Sequence, residues 1–359
     1  MSQYAQFKMP PGGDRNKGPA LEAATIITFC LAAIIVAVRI YYRAFRIKTT
    51  AWDDYTIVLA LVSACVSTAF ILKYVEAGGG RHAVYLQMKA VDVAKWSTIS
   101  TLPFIISTTL TKISIALMIL RISNSRKLKW SMIPLMVIVT CINLTGIVLL
   151  AAGCRPFEAN WNYAVPRTHC WPRKVLKDQN FVQGIVSIVS DCIYTALPVV
   201  VVWGLNISRR QKVGITFLVA LGLVATACSI ARLVLYETFD DWTDSTWGLS
   251  DLQIWTALEQ NLGIVAASLP TLRIFFKEIG ATISSLSFSF SGGKGSGASL
   301  SEELTGKDSG SDRSDSSTIM KTQTTTVKSI EPFDEQFEMR YLGGAWDIEN
   351  GGRPNRLSS

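Results

Sequence analysis

The chain has 359 residues, with 35 Lys and Arg against 27 Asp and Glu, a formal net charge of +8 and 49% hydrophobic residues. The charge is unevenly spread: residues 277–359 carry 9 basic and 12 acidic side chains, whereas residues 1–276 carry 26 and 15. That first part also holds apolar runs longer than the ~18 residues at which a stretch reads as membrane-spanning, which excludes a soluble single-domain enzyme. A nucleic-acid binder is excluded too, because the basic residues sit between apolar runs and not on one face.

Residues 1–20 are polar and rich in Gly and Pro. They read as a short extracellular N-terminus without the pattern of a cleavable signal peptide, so the first membrane helix is expected to act as its own insertion signal. Seven apolar segments follow: Leu21–Tyr42, Tyr55–Glu76, Trp96–Leu120, Trp130–Ala152, Phe181–Leu205, Val213–Tyr236 and Leu252–Phe276. Each is long enough to cross ~30 Å of hydrocarbon at 1.5 Å per residue. Helix is the expected state, because a lone strand in lipid leaves its backbone unsatisfied. Pro103, Pro134, Pro198 and Pro270 fall inside these segments, as membrane helices tolerate. The expected fold is therefore an all-α polytopic membrane protein with seven transmembrane helices over residues 21–276.

The connections set the expected orientation. Arg43–Asp54, Arg121–Lys129 and Asn206–Lys212 hold 10 Lys/Arg in 28 residues, against 8 in the 62 residues of Ala77–Lys95, Gly153–Asn180 and Glu237–Asp251. The denser set faces the cytosol by the positive-inside rule, which puts the N-terminus outside and the C-terminus inside. Trp52, Trp96, Trp130, Trp203 and Trp255 at helix ends suit an interfacial aromatic belt. Residues 277–359 read as a disordered cytosolic tail, with 13 Ser among the 34 positions from Ser284 to Ser317. Such a composition buries too little apolar surface to offset ordering entropy.

Short signatures recur along the chain: Trp52-Asp53-Asp54-Tyr55, Gly80-Arg81-His82, Leu110-Thr111-Lys112-Ile113-Ser114, Leu120-Arg121-Ile122, Cys154-Arg155-Pro156-Phe157 with Trp161 and Cys170, Ser190-Asp191 with Leu197-Pro198, Ser229-Ile230-Ala231-Arg232-Leu233 and Ser268-Leu269-Pro270-Thr271-Leu272-Arg273. Taken in order, these resemble the fungal rhodopsin-like-domain integral membrane proteins, the group of Pth11-like receptors and SAT4-type proteins. The resemblance covers roughly residues 21–276. It implies seven helices and, for some members, a receptor role. The word rhodopsin is architectural here. A retinal Schiff base needs a lysine amine, and Leu252–Phe276 has none, so no cofactor is expected. The acidic-Arg-Tyr triad and the Asn-Pro-x-x-Tyr pattern of animal receptors are also absent from the third and seventh segments.

Several residues stand out as site candidates. Lys112, Asp191, Arg232 and Glu259 lie well inside the helices, where each would cost about 2.5–3.5 kcal/mol if exposed to lipid. Their depths pair Arg232 with Glu259 and Lys112 with Asp191, either as fixed ion pairs that align helices or as a lock that a ligand breaks. Cys154 and Cys170 share one outer loop in an oxidising compartment and are expected to form a disulfide. The loop Glu237–Asp251 has five acids and no Lys or Arg. Its Asp240, Asp241, Trp242, Asp244 and Trp247 could attract a cationic ligand by steering and cation–π contact, or simply stay wet outside the membrane. Arg121, Arg126, Lys127, Lys129, Arg209, Arg210 and Lys212 form a cytosolic basic face, either topogenic and lipid-binding or a contact for a signalling protein. Asp53 and Asp54 read first as a helix cap. Two formal glycosylation sequons, at Asn143 and Asn206, fall in the fourth segment and in an inner connection, so neither is expected to carry sugar. No nucleophile–base pair or metal-ligand cluster appears.

The leading functional expectation is a receptor-like sensor in a fungal plasma membrane, with membrane lipids, an extracellular ligand and a cytosolic signalling protein as partners and no enzymatic activity. The competing expectations are a small-molecule transporter or channel, and a membrane scaffold.

Overall fold

In this computed structural model, residues 15–48, 50–86, 89–122, 126–162, 164–166, 168–202, 209–238 and 245–291 are described, with some helix ends described by their backbone alone. The helices are α1 (Gly18–Tyr41), α2 (Trp52–Glu76), α3 (Ala83–Leu86), α4 (Ala90–Ile122), α5 (Arg126–Ala152), α6 (Arg173–Val202), α7 (Arg209–Thr238) and α8 (Ser245–Ser291). Among the described residues there is no strand, only an isolated bridge between Cys154 and Cys170. Six helical stretches are long and apolar enough to cross a membrane: Gly18–Arg46, Trp52–Glu76, Ala90–Arg121, Leu128–Ala152, Lys174–Leu197 and Thr216–Glu237. The protein is an integral membrane protein. The expected seventh segment, Leu252–Phe276, lies within α8 and is not among the six. Gln253, Glu259, Gln260 and Asn261 interrupt its apolar run, and all four are buried.

Polarity is inverted relative to a water-soluble bundle. Ile27, Ile34, Val62, Leu144, Phe217 and Leu223 are exposed on the helix surfaces, while Ser67, Ser100, Ser107, Thr111, Ser114, Ser190 and Ser229 are buried. Small hydroxyl residues let helix backbones approach and bond across the gap. Ser107 Oγ donates to Ala60 O at 2.8 Å, and Ser63 Oγ to Pro103 O at 3.0 Å. Accordingly, α2 packs extensively against α4, and α6 against α7. Trp52 and Trp130 stand 78% and 80% exposed, as residues of an interfacial belt would. One apolar core joins Ala32 and Val36 of α1, Ile57, Ala60 and Ala64 of α2, and Ile264, Val265 and Ala267 of α8.

The ends of several elements differ from the sequence expectation. α1 starts at Gly18 with Pro19 in its first turn, a position where proline's missing N–H costs nothing. It passes into a π-helical turn, Tyr42–Ile47, that ends at Lys48 with φ +55°. α8 runs past Phe276 to Ser291, into the segment read as tail. Counting serines hides the reason: Ile279, Ile283, Leu286 and Phe290 recur at spacings of four, three and four, a helical period. Contacts group Met1–Phe276 as one unit and Lys277–Ser359 as another. The tail beyond Ser291, with its serine and threonine clusters, lies outside the described residues.

Candidate functional site: a charge network across four helices

Depth along the helices places four ionisable groups inside the bundle, and the helix packing brings them together. Arg232 Nε of α7 lies 2.6 Å from Glu259 Oε2 of α8. Lys112 Nζ of α4 lies 3.0 Å from Asp191 Oδ1 of α6. The two pairs are joined into one network by Ser187 of α6. Its hydroxyl donates to Glu259 Oε1 at 3.0 Å, and the Ser187 Oγ itself accepts from Lys112 Nζ at 3.0 Å. Lys112 also donates to Ser190 Oγ at 2.6 Å and to Ser187 O at 3.1 Å. Ser229 Oγ of α7 donates to Asp191 Oδ2 at 3.0 Å. The Arg232 guanidinium lies over Phe104 of α4, 5.4 Å from the ring centroid. Each carboxylate thus has one cation and at least one hydroxyl donor. That combination makes buried charge tolerable, since desolvation is offset only when the remaining lone pairs are satisfied.

A cavity of about 10 Å³ adjoins the network, lined by Phe104, Lys112, Asn143, Gln183, Ser187, Arg232 and Glu259 among others. That is room for about one water. Asn143, the residue of the first sequon, is buried there inside α5.

Sequence reasoning from charge alone missed the connecting hydroxyls. A signal was present: Gln183, Ser187, Ser190 and Asp191 recur at helical spacing, placing a polar stripe on one face of α6.

A second buried cluster lies at the end of the bundle where α1 closes and α2 begins. Arg39 forks onto both carboxylates: Nη2 to Asp53 Oδ2 at 2.6 Å and Nε to Asp54 Oδ1 at 3.0 Å. Its Nη1 donates to Ala267 O of α8 at 2.7 Å. Arg43 Nη1 donates to Asp53 Oδ2 at 2.7 Å and Asp54 Oδ2 at 2.8 Å. The reading of Asp53 and Asp54 as a simple cap needs correction. Asp54 Oδ2 does accept the Ala51 N–H at 3.2 Å, but both aspartates chiefly hold the arginines. Arg39 and Arg43 are one helical turn apart, which brings both guanidiniums to one face, and this i, i+4 pair was the overlooked signal.

Three side chains of the expected basic face are described. The Arg121 side chain is 25% exposed and points inward, with Nη1 3.7 Å from Asp53 Oδ1. Arg126 is exposed and Lys129 half-buried. Arg209, Arg210 and Lys212 lie in the first turn of α7 by backbone, and the Lys127 backbone lies in α5. The side chains of these four are outside the described residues.

At the opposite end, Cys154 and Cys170 form a disulfide. Trp161 and Phe157 between them meet edge to face with centroids 5.1 Å apart. Of the acidic loop, Asp240, Asp241, Trp242 and Asp244 lie outside the described residues. Trp247 is described, and its ring stacks on His82 at 4.1 Å with 8° between the planes.

Comparison with known proteins assigns the family. Residues 38–278 match the model of the fungal rhodopsin domain. The chain belongs to the fungal rhodopsin domain family. It is 27% identical over 279 residues to the polyenoic acids biosynthesis gene cluster protein Ba17b of Metarhizium anisopliae, covering 73% of this chain and 75% of that one. It is 30% identical over 128 residues to a SAT4 family membrane protein of Emericella nidulans, covering 32% of each chain. It is 24% identical over 171 residues to the receptor GIN3 of Arthrobotrys oligospora, covering 48% of this chain and 40% of that one. No solved structure matches. The fungal rhodopsin domain contains every member of the two buried charge clusters, from Arg39 to Ala267.

Proposed function

We propose that this fungal rhodopsin-domain protein is a seven-helix, non-catalytic sensor of the plasma membrane that relays an extracellular cue to the cytosol. α8 serves as the seventh span. At 1.5 Å per residue it has ample length, and it shares a core with α1 and α2. The N-terminus lies outside and the tail inside. Two independent features support that orientation: the basic connections at one end, and the disulfide at the other, which needs an oxidising compartment.

The observation that carries the sensor reading is the network Arg232–Glu259–Ser187–Lys112–Asp191. It ties four helices together at mid-depth through groups that can re-pair, and re-pairing of packed helices is how switching proteins move between two arrangements. The adjoining space of about 10 Å³ is too small for a solute, which favours a sensor over a transporter. A relative named as a receptor points the same way.

The test needs no ligand. In a fungal host deleted for the gene, wild type is compared with the double variant Arg232→Met/Glu259→Leu, which removes both charges without stranding either. At equal amounts in the plasma membrane, the double variant should give a basal transcript profile distinct from wild type, and so should the deletion. Identical profiles in all three strains would overturn the sensor reading. Solute flux through liposomes holding the pure protein would replace it with a transporter.

A further inference from the structure

The first turns of α8 meet the lead into α1 and the turn after α2 at the disulfide end, which the proposed topology turns outward. Trp247 and Asp251 are four residues apart on α8, so ring and carboxylate stand on one helix face. Lys17, the residue before α1, reaches both. Its Nζ lies 2.6 Å from Asp251 Oδ2 and 4.1 Å from the centroid of the Trp247 ring. An indole face beside a carboxylate is the pairing by which proteins hold organic ammonium ions: the ring quadrupole and the anion attract the cation together.

The pair is held in place without Lys17. Trp247 is stacked on the buried His82. Thr246 Oγ1 donates to Arg81 O at 2.8 Å. Tyr74 OH of α2 donates to Thr246 O at 3.2 Å and lies 3.0 Å from Ser250 Oγ. α8 is therefore pinned to α2 and to the following turn by contacts that do not involve Lys17.

Lys17, by contrast, is lightly held. Its side chain is 28% exposed and that of Asp251 38%, the range in which an ion pair contributes little. Its backbone N–H donates to Gly80 O at 2.9 Å. A cavity of about 540 Å³ borders the same lead, lined by Asn16, Glu76, Arg81, Tyr85 and Lys89 among others. That is within the usual size of a small-molecule site.

We propose that Trp247 and Asp251 form an ammonium-binding site, that Lys17 fills it as a tethered occupant, and that a small organic ammonium ion with a polar body is the external ligand that displaces it. Displacement loosens the Lys17–Gly80 lead over the bundle mouth. The site stands on its own geometry; only its use in sensing rests on the sensor reading.

Occupancy is measured on the full-length protein in nanodiscs with tetramethylammonium chloride as probe. Lys17 is followed by its rate of acetylation with an N-hydroxysuccinimide ester, resolved by mass spectrometry. Sodium chloride holds the ionic strength constant. Lys73, ion-paired with Glu76 at 2.6 Å but exposed, is the internal control for a salt effect on any pair. A tether presents its own cation at an effective concentration of about millimolar or more, so the probe should act in the range of ~10–100 mM. Lys17 acetylation should rise about threefold or more and saturate, with Lys73 unchanged. Trp247→Leu should make Lys17 fast from the start and insensitive to the probe. Lys17→Met should bind radiolabelled tetramethylammonium about tenfold more tightly than wild type. The proposal is overturned if wild-type Lys17 responds no more to the probe than Lys73 does, or if Lys17→Met binds the probe no better than wild type. Neither result bears on the transcript test above, so the two readings fail separately.

Discussion

Arg39 is the residue whose loss should damage the bundle most. Its side chain is 0% exposed and makes three charge-assisted hydrogen bonds, to Asp53, Asp54 and Ala267 O. Arg39→Met keeps much of the apolar stem but leaves two buried carboxylates sharing Arg43, with only the more distant Arg121 besides, and strands a carbonyl of α8. Removing one partner of a buried pair costs about 3–5 kcal/mol, because the remaining charge is uncompensated. For a domain of this size each kcal/mol moves the melting temperature by about 2–4 °C, so the loss should be roughly 6–20 °C. Thermal scanning of the detergent-solubilised chain, read by size-exclusion fluorescence, measures it. Arg39→Lys keeps the charge but not the planar fork, and should recover only part. Arg39→Met with Asp54→Asn removes one charge of each sign, and should be less damaging than the sum of the singles by about 0.5–3 kcal/mol. A single Arg39→Met variant that melts within about 2 °C of wild type would refute the reasoning.

Arg232→Glu should destabilise the chain and Glu259→Arg added to it should restore much of the loss; a double variant no better than the worse single would show that the two residues do not act as a pair. Cys154→Ser with Cys170→Ser should lower stability by about 3 kcal/mol, the loop-closure value for this spacing, and ready thiol labelling of both residues in the untreated native chain would contradict the bond. Glycosidase treatment should leave the mobility unchanged, since Asn143 is buried in α5 and the proposed orientation puts Asn206 on the cytosolic side; a shift traced to Asn206 would reverse that orientation.

Much of this protein is legible in local patterns. Apolar runs locate the helices, because hydropathy over about 20 residues is a sum that needs no partner. Depth alone suggested which ionisable groups could meet, since rise per residue is constant along a helix. Cys154 and Cys170 share a loop, so chain proximity largely decides their pairing. Other features needed the packed bundle. Ser187 joins the two ion pairs only because α6 presents it between α4 and α8, and the rotation of a helix about its axis is set by neighbouring surfaces. Asp53 and Asp54 look like a cap when read along the chain. They become the anchor of Arg39 and Arg43 once α1 and α2 lie side by side and α8 brings Ala267 O to the same point. Lys17 and Asp251 are 234 residues apart, and no local pattern links them. Periodicity and composition report what each segment prefers. Which side chains meet across segments is decided by helix crossing and rotation, because the cost of an unpaired buried charge is felt only when the bundle closes around it.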